Sequence, residues 1–127
     1  MFKILVCDDD AGLRLSVAAA LAATGRFDVE EAFDGVNAVE KVKAKTYNMV
    51  LLDVDMPRMN GIELVRRIRG DPRLYELPVV IVSYKDREED RMKGLEAGAT
   101  HYLAKGGFQD SALVNVVQDL IGGAQEA

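Results

Sequence analysis

The stretch MVLLDVDMP, residues 49–57, decides the fold, because an uninterrupted apolar run ends abruptly in two acids and a proline. Its first four residues show no alternation with polar residues, which predicts a short strand that is buried on both faces. Asp53 directly ends that strand, and Asp55 follows two positions later. From this stretch alone, the two acids could be metal ligands, a nucleophile or solvated residues at the start of a loop.

The rest of the chain repeats this alternation of short apolar runs with amphipathic stretches. Four further runs predict strands, at residues 4–7, 27–32, 78–83 and 101–104. Apolar residues at helical spacing follow each strand. Five strand–helix units with apolar strands predict a parallel sheet that is covered on both faces and joined by right-handed crossovers. The expected fold class is therefore α/β, doubly wound and five-stranded, with the half-polar second strand at an edge.

Several polar residues are predicted to start helices. Asp34 is a candidate N-cap of the second helix, and Asp86 with Glu89 forms a capping-box-like pair before the fourth. The fourth helix has only Met92 and Leu95 as clear apolar anchors.

Composition limits the class of protein. The chain has 127 residues, 49% hydrophobic and 29% charged, which predicts a single folded domain over residues 1–127. A net charge of −5 argues against direct binding of nucleic acid or of an anionic membrane. One cysteine permits no internal disulfide, no apolar run approaches the roughly 20 residues of a membrane span, and the N-terminus does not read as a signal peptide. These features predict a cytoplasmic location.

Polar side chains follow four of the five predicted strands where each strand ends. Since the carboxyl ends of parallel strands meet at one edge of a sheet, these groups should lie together. Crowded carboxylates repel, so they either bind a cation or keep one proton. The residues in question are Asp8, Asp9 and Asp10 after the first strand, Asp53 after the third, Ser83 after the fourth and Lys105 after the fifth.

The chemistry of that edge follows from its charges. An all-oxygen site with few carboxylates suits Mg²⁺, which keeps several waters and leaves room for a phosphate oxygen. With the cation bound, one carboxylate can attack phosphorus and form an aspartyl-phosphate. Such a transfer needs neutralisation of the phosphoryl oxygens, which a metal, a lysine and a hydroxyl can supply.

Five sequence motifs follow one another along the chain: CDDDAGLR, DGVNAVE, LLDVDMPRMNGIELVRRIR, PVVIVSY and GATHYLAKGGF. In this order and spacing they resemble the receiver domain of two-component response regulators, in particular chemotaxis-type regulators. The resemblance covers residues 2 to about 121 and implies a flavodoxin-like (βα)5 fold with strand order 2-1-3-4-5. It identifies the chain as a single receiver domain and a regulatory module rather than an enzyme with a separate substrate.

The resemblance also implies roles for the acids. Asp53 would accept a phosphoryl group from the phosphohistidine of a sensor histidine kinase or of a phosphotransfer domain. Asp8, Asp9 and Asp53 would hold Mg²⁺, and the backbone carbonyl of Asp55 would complete the protein ligands. We expect Asp9 to bind the metal directly and Asp8 to bind it directly or through water, whereas Asp10 is predicted to be a helix cap or solvated.

The remaining implied roles concern the response to phosphorylation. Ser83 would turn toward the phosphoryl group, Lys105 would pair with it, and Tyr102 would change rotamer. Each has a plainer alternative from its sequence context: a turn serine, a solvated lysine and a core aromatic residue. Lys85 could reach Asp55 and restrict the attacking water, which predicts slow hydrolysis. Cys7 is expected to be a small core residue and His101 a surface residue.

Two departures from the family pattern stand out. Gly106 follows the lysine where receivers commonly have a proline in a cis peptide, and because a non-proline cis bond costs about 2.5–4 kcal/mol we expect a trans Lys105–Gly106 peptide. The segments VSYKDREED and LAKGGF resemble receivers fused to chemotaxis-type hybrid histidine kinases. The sequence thus suits either a stand-alone regulator or the receiver of such a kinase, and no effector domain is expected after residue 121.

The expected output surface comprises the fourth helix, the fifth strand and the fifth helix. Phosphorylation would bias a two-state element there and control a downstream target or a homodimer. Ser111 can open the fifth helix, whose apolar residues form more than one stripe, so that either packing on the sheet or a partner face explains them. Those residues are Ala112, Leu113, Val114, Val116, Val117, Leu120 and Ile121.

Three rival functions remain. A haloacid-dehalogenase-like phosphatase shares the motif in which Asp53 and Asp55 follow an apolar run, but it needs further acids downstream and a longer chain. A flavodoxin-like cofactor protein needs a phosphate loop after the first strand, where DDDAG would repel a phosphate. A degenerate, phosphorylation-independent receiver is the third, and the presence of every expected site residue argues against it.

Overall fold

The computed structural model describes residues 1–104 and 113–120, in which strands and helices alternate throughout. The predicted strands are confirmed, and the first begins two residues earlier than its apolar run. The elements are β1 Phe2–Cys7, α1 Ala11–Ala22, β2 Phe27–Ala32, α2 Gly35–Ala44, β3 Met49–Leu52, α3 Gly61–Gly70, β4 Val79–Ser83, α4 Glu88–Ala97, β5 His101–Ala104 and the helix α5 at residues 113–120.

The five strands form one parallel sheet in the order β2-β1-β3-β4-β5, as expected. All four residues of β3 are buried, which agrees with its uninterrupted apolar sequence. The strand order reverses between β1 and β3, where Cys7 and Leu52 are register partners. Both strands therefore end side by side, and the residues that follow them emerge at the switch point where α/β sheets of this kind place their sites.

Apolar side chains cover both faces of the sheet. On one face, the core includes residues of α2, α3 and α4, such as Val42, Leu64 and Ile68. On the other face, Leu21 of α1 and Leu113 and Val117 of α5 pack against the sheet. This two-sided burial explains why the central strands β1, β3 and β4 are almost entirely apolar.

Two of the predicted helix caps are confirmed. The side chain of Asp10 accepts a hydrogen bond from the Leu13 amide at 3.1 Å and caps α1. That of Asp34 accepts one from the Asn37 amide at 2.7 Å and caps α2. Both carboxylates thereby satisfy amides that have no partner within their helix.

The prediction for the start of α4 is wrong. The helix begins at Glu88 with Arg87 as the N-cap, and no side chain caps it. Asp86 therefore lies one residue too early and Glu89 one residue too near the helix start to form a capping box. Three acids in the first turn favour the positive end of the helix dipole instead.

One of the two predicted anchors of α4 is confirmed. Leu95 is partly buried and packs against the core, whereas Met92 is 49% exposed. The residue that α4 buries is Gly94, where a Cβ atom would lie 2.8 Å from Ile81 and 2.9 Å from the ring of Tyr102. The helix backbone thus approaches the sheet directly, which an amphipathicity pattern does not reveal.

In α5, the sheet-packing interpretation holds for Leu113 and Val117, which are buried. Leu120 is 36% exposed and Val114 and Val116 are half-buried, so part of the wide apolar stripe remains accessible. The predicted helix start at Ser111, along with Ala112 and Ile121, lies outside the described residues.

Within the parts of the chain that the structure describes, no helix combines the length and apolar character needed to cross a membrane.

Candidate functional site

The two acids at the switch point extend the strands that carry them. The Asp8 amide donates to the Ala32 carbonyl and the Asp53 amide donates to the Cys7 carbonyl, each at 3.1 Å. These hydrogen bonds fix the backbone of both residues relative to the sheet. Asp8 is 7% exposed and Asp53 is 8% exposed, so both carboxylates are held near the protein interior.

Asp9 joins these two acids from the start of the loop after β1 and is exposed. Asp8, Asp9 and Asp53 each offer a carboxylate oxygen, and these oxygens all lie within 4.8 Å of one another. We call these three residues the acid cluster. Three carboxylates this close repel unless a cation or a proton offsets their charge, and an all-oxygen donor set suits a hard cation such as Mg²⁺. The donor chemistry therefore fits the metal implied by the sequence.

Backbone groups help to orient the acid cluster. The Asp10 amide donates to Asp8 Oδ1 at 2.9 Å, and the Asp55 amide lies 3.4 Å from Asp53 Oδ1. Arg14 Nη1 donates to the Asp8 carbonyl at 2.8 Å, while its Nε contacts Glu31 Oε1 at 3.0 Å. The loops after β1 and β3 thus direct their own amides toward the carboxylates.

The Asp55 carboxylate points away from the interior, as the sequence suggested, with its side chain 66% exposed. Its Oδ1 lies 3.4 Å from Lys85 Nζ, the pair that the spacing of these residues predicted. Lys85 is itself 48% exposed, so the pair sits at the open rim of the site. Exposed pairs of this kind contribute little to stability.

Ser83 and Tyr102 meet at the same backbone segment. Ser83 is fully buried, and its Oγ accepts a hydrogen bond from the Lys85 amide at 3.1 Å. The Tyr102 hydroxyl donates to the Lys85 carbonyl at 2.7 Å, and its side chain is 8% exposed with a pKa raised by burial. One peptide segment therefore connects the two residues. The third residue predicted with them, Lys105, lies outside the described residues, as does the Lys105–Gly106 peptide.

Cys7 lies beneath the acid cluster and is 1% exposed. Its Sγ lies 3.3 Å from Met56 Sδ and donates to the Asp34 carbonyl at 3.5 Å. Burial, together with the neighbouring charges of Asp8, Asp34 and Asp53, raises the pKa of Cys7 to about 12. The thiol stays protonated at neutral pH, which confirms its interpretation as a core residue. His101 is exposed, also as expected.

Two features of the site escaped the sequence analysis. Arg58 Nε binds Asp34 Oδ2 at 2.9 Å, which joins the loop after β3 to the start of α2. Gly61 packs against the backbone of Asp53, so that a Cβ atom there would overlap the Asp53 carbonyl oxygen. The glycine after MPRMN is a visible signal for a close approach, whereas no local pattern links Arg58 with a residue 24 positions earlier.

Comparisons with known proteins agree with this geometry. The family model described as "Response regulator receiver domain" matches residues 4–118. A gliding motility regulatory protein of Myxococcus xanthus is 38% identical over 118 residues, which cover 93% of this chain and 15% of that protein. The response regulator MprA of Mycobacterium tuberculosis is 39% identical over 103 residues, or 81% of this chain and 44% of that protein. The chain thus spans less than half the length of these relatives.

A solved structure gives the same result for the fold. The chemotaxis response regulator CheY4 of Vibrio cholerae superposes with a TM-score of 0.87 at 30% identity, covering 94% of this chain and 98% of that one. The family match spans both the β1 and β3 loops that carry the acid cluster. The chain belongs to the family of response regulator receiver domains of two-component systems.

Proposed function

We propose that this chain is a phosphoacceptor switch in which Asp53 receives a phosphoryl group from the phosphohistidine of a histidine kinase or a phosphotransfer domain. The observation that carries the proposal is the convergence of the Asp8, Asp9 and Asp53 carboxylate oxygens within 4.8 Å, at the ends of two adjacent strands. Asp53 is the candidate nucleophile because it directly continues β3 and is held by the sheet. The chain would catalyse only its own phosphorylation and dephosphorylation.

The residues proposed to hold Mg²⁺ are the three members of the acid cluster and the backbone carbonyl of Asp55. When bound, Mg²⁺ would supply charge neutralisation and coordination for a phosphoryl oxygen. The exposure of Asp9 and the burial of Asp8 are consistent with a site that opens to solvent on one side.

In the proposed transfer, an Asp53 carboxylate oxygen forms a bond to phosphorus. The phosphorus–nitrogen bond of the donor breaks, and its electron pair returns to the donor imidazole. The reaction needs in-line positioning and charge neutralisation more than proton transfer. Ser83 and Lys105 are the residues proposed to bind the phosphoryl oxygens in the product.

We propose that the backbone of Lys85 transmits the effect of phosphorylation from Ser83 to Tyr102. The Ser83 hydroxyl accepts from the Lys85 amide while Tyr102 donates to the Lys85 carbonyl, so a turn of Ser83 toward a phosphoryl group would disturb the partner of Tyr102. Tyr102 also packs against Gly94 of α4, which connects this change to the helix. The surface of α4, β5 and α5 would then bind a downstream target or a second copy of the chain.

The direct test uses the purified protein with acetyl phosphate and Mg²⁺, or with beryllofluoride. We expect a mass gain of one phosphoryl group when the protein is incubated with acetyl phosphate and Mg²⁺. When EDTA is added before acetyl phosphate, we expect no mass gain, because the crowded carboxylates then repel the incoming phosphate. Intact-protein mass spectrometry measures the mass in both cases. A wild-type protein that responds to neither reagent would favour the degenerate, phosphorylation-independent receiver.

Lys85→Ala is expected to speed loss of the phosphoryl group. Lys85 binds Asp55 at the rim of the site, where the pair can restrict the attacking water. Because exposed pairs contribute about 0.2–1 kcal/mol, we expect dephosphorylation to be faster by a factor between about 1.4 and 5. The decay of phosphorylated protein after removal of acetyl phosphate gives the rate, and Arg91→Ala, in an exposed pair with Glu88, is the control. An unchanged rate for Lys85→Ala would remove this role.

A further inference from the structure

We propose that Arg58 and Asp34 form a positioning pair for the phosphorylation site. By this proposal, the pair holds the loop between β3 and α3, residues 53–60, in the conformation that presents Asp53 and the Asp55 backbone to the cation. The inference rests on the proposed function, since it assigns a role in preparing that same site. Neither residue belongs to the acid cluster.

Asp34 is the fixed half of the pair. Its side chain is 6% exposed and caps α2 through the Asn37 amide at 2.7 Å. That backbone hydrogen bond, followed by the Arg58 guanidinium, holds the pKa of Asp34 below its usual range against the effect of burial. The Asp34 carbonyl also accepts from Cys7 Sγ at 3.5 Å, so Asp34 is tied to both α2 and β1.

Arg58 is the half that belongs to the loop. Its Nε lies 2.9 Å from Asp34 Oδ2, and its side chain remains 58% exposed on the outer side. The backbone φ of Arg58 is 66°, and among the described residues it is the single non-glycine residue with a positive φ. A non-glycine residue in this region has a conformational cost, so surrounding contacts must hold it there.

Two neighbouring loop residues, Met56 and Met59, also contact β1 and the start of α2. A Cβ atom at Gly35, the first residue of α2, would overlap the Met59 backbone and lie 2.7 Å from its Cβ. Met56 Sδ lies 3.3 Å from Cys7 Sγ. Met59 therefore packs on the first residue of α2 and Met56 on the end of β1, and the Arg58–Asp34 pair is the charged contact between the loop and the start of α2.

The loop from which Arg58 contacts Asp34 is the same loop that carries Asp53 and Asp55. The loop begins with Asp53 and is closed at its other end by the Gly61 amide, which donates to the Val54 carbonyl at 2.9 Å. Loss of the charged contact would let the left-handed residue relax and would broaden the set of loop conformations. Cation ligands that are less well oriented bind more weakly, whereas most residues of the buried core lie outside this loop and should be little affected.

Arg58→Gly is the decisive variant, because it removes the whole side chain with its guanidinium, while glycine adopts a φ of 66° without strain. We expect Mg²⁺ to bind about tenfold more weakly to the unphosphorylated protein, as is typical when a residue that orients metal ligands is lost. Isothermal titration calorimetry measures the affinity. Amide hydrogen exchange of residues 54–59 should become faster, with the melting temperature changed by less than about 3 °C.

Matched variants separate positioning from plain packing. Arg73→Ala removes an exposed arginine–aspartate pair far from the site and should bind Mg²⁺ as the wild type does. Arg58→Lys keeps the charge and should recover part of the affinity. Asp34→Asn keeps a good helix cap but removes the charge. If the two residues act as one pair, the double variant with Arg58→Gly and Asp34→Asn should bind Mg²⁺ no more weakly than the weaker-binding of the two single variants.

The outcomes distinguish the two proposals. If Arg58→Gly binds Mg²⁺ like the wild type and its loop exchange is unchanged, the positioning role is overturned, while a wild-type protein that gains the phosphoryl group still supports the proposed function. A large fall in melting temperature without recovery by Arg58→Lys would make the pair a structural contact only, which also overturns the positioning role. A wild-type protein that binds Mg²⁺ but gains no phosphoryl group would overturn the proposed function alone.

Discussion

Asp53→Ala is expected to abolish the mass gain of a phosphoryl group in acetyl phosphate and Mg²⁺. The change removes the carboxylate that continues β3 and that lies within 4.8 Å of the Asp8 and Asp9 carboxylates. Alanine offers neither the nucleophile nor its share of the cation site, so no residual transfer to this position can occur. Intact-protein mass spectrometry on folded protein measures the loss, and circular dichroism verifies the fold.

Asp10→Asn is the matched control for this variant. It also removes one acid from the loop after β1, but asparagine caps a helix as well as aspartate does. We expect it to accept the phosphoryl group to nearly the wild-type extent. Retention of the mass gain in Asp53→Ala would mean that another residue is the acceptor, and peptide mapping of the modified chain would then identify it.

Gly61→Ala is expected to lower both stability and phosphorylation. A Cβ atom at this position would overlap the Asp53 carbonyl oxygen and would lie 2.8 Å from Leu52 Cδ1 and 2.9 Å from the Asp53 carbonyl carbon. Backbone atoms of a central buried strand cannot move aside as a flexible side chain can. We expect the free energy of unfolding to fall by about 3 kcal/mol, the upper part of the range for overpacking. Urea denaturation measures it.

The same helix supplies the control. Gly70 ends α3, and a Cβ atom there meets nothing within 4 Å. Gly70→Ala should therefore stabilise the protein slightly, by up to about 1 kcal/mol, because alanine loses less backbone entropy in a helix than glycine does. If Gly61→Ala and Gly70→Ala proved equally stable, the close approach between Gly61 and the Asp53 backbone would not constrain this protein. A normal rate of phosphorylation in Gly61→Ala would show that Asp53 tolerates the displacement.

The sheet could be predicted in detail because its strands carry their own signal. β3 is apolar throughout, β4 is apolar except for its last residue, Ser83, and β2 is half-polar, which distinguishes the central strands from this edge strand. The start of α4 could not be predicted in the same way. Acids near a helix start are compatible with several registers, and the burial of Gly94 depends on how closely α4 approaches Ile81 and Tyr102.

The sequence likewise predicts some features of the candidate site and not others. The chain order of strands and polar residues is enough to predict that Asp8, Asp53 and Ser83 share one edge of the sheet. It does not predict that Asp8 is buried while Asp9 is exposed. Nor does it reveal that Asp34, interpreted only as a helix cap, also binds Arg58.

The sequence by itself therefore determined the parallel sheet and its edge of acids. These depend on periodicity and on which residue ends each strand, and both are local properties of the chain. The choice of Asp53 as the candidate nucleophile came from the resemblance of the motifs to receiver domains. Only the tertiary structure decided how closely the three carboxylates approach one another, that Lys85 joins Ser83 to Tyr102, and that Arg58 of the loop after β3 binds Asp34. Such contacts join residues far apart in the chain, and their distances depend on how the helices pack on the sheet.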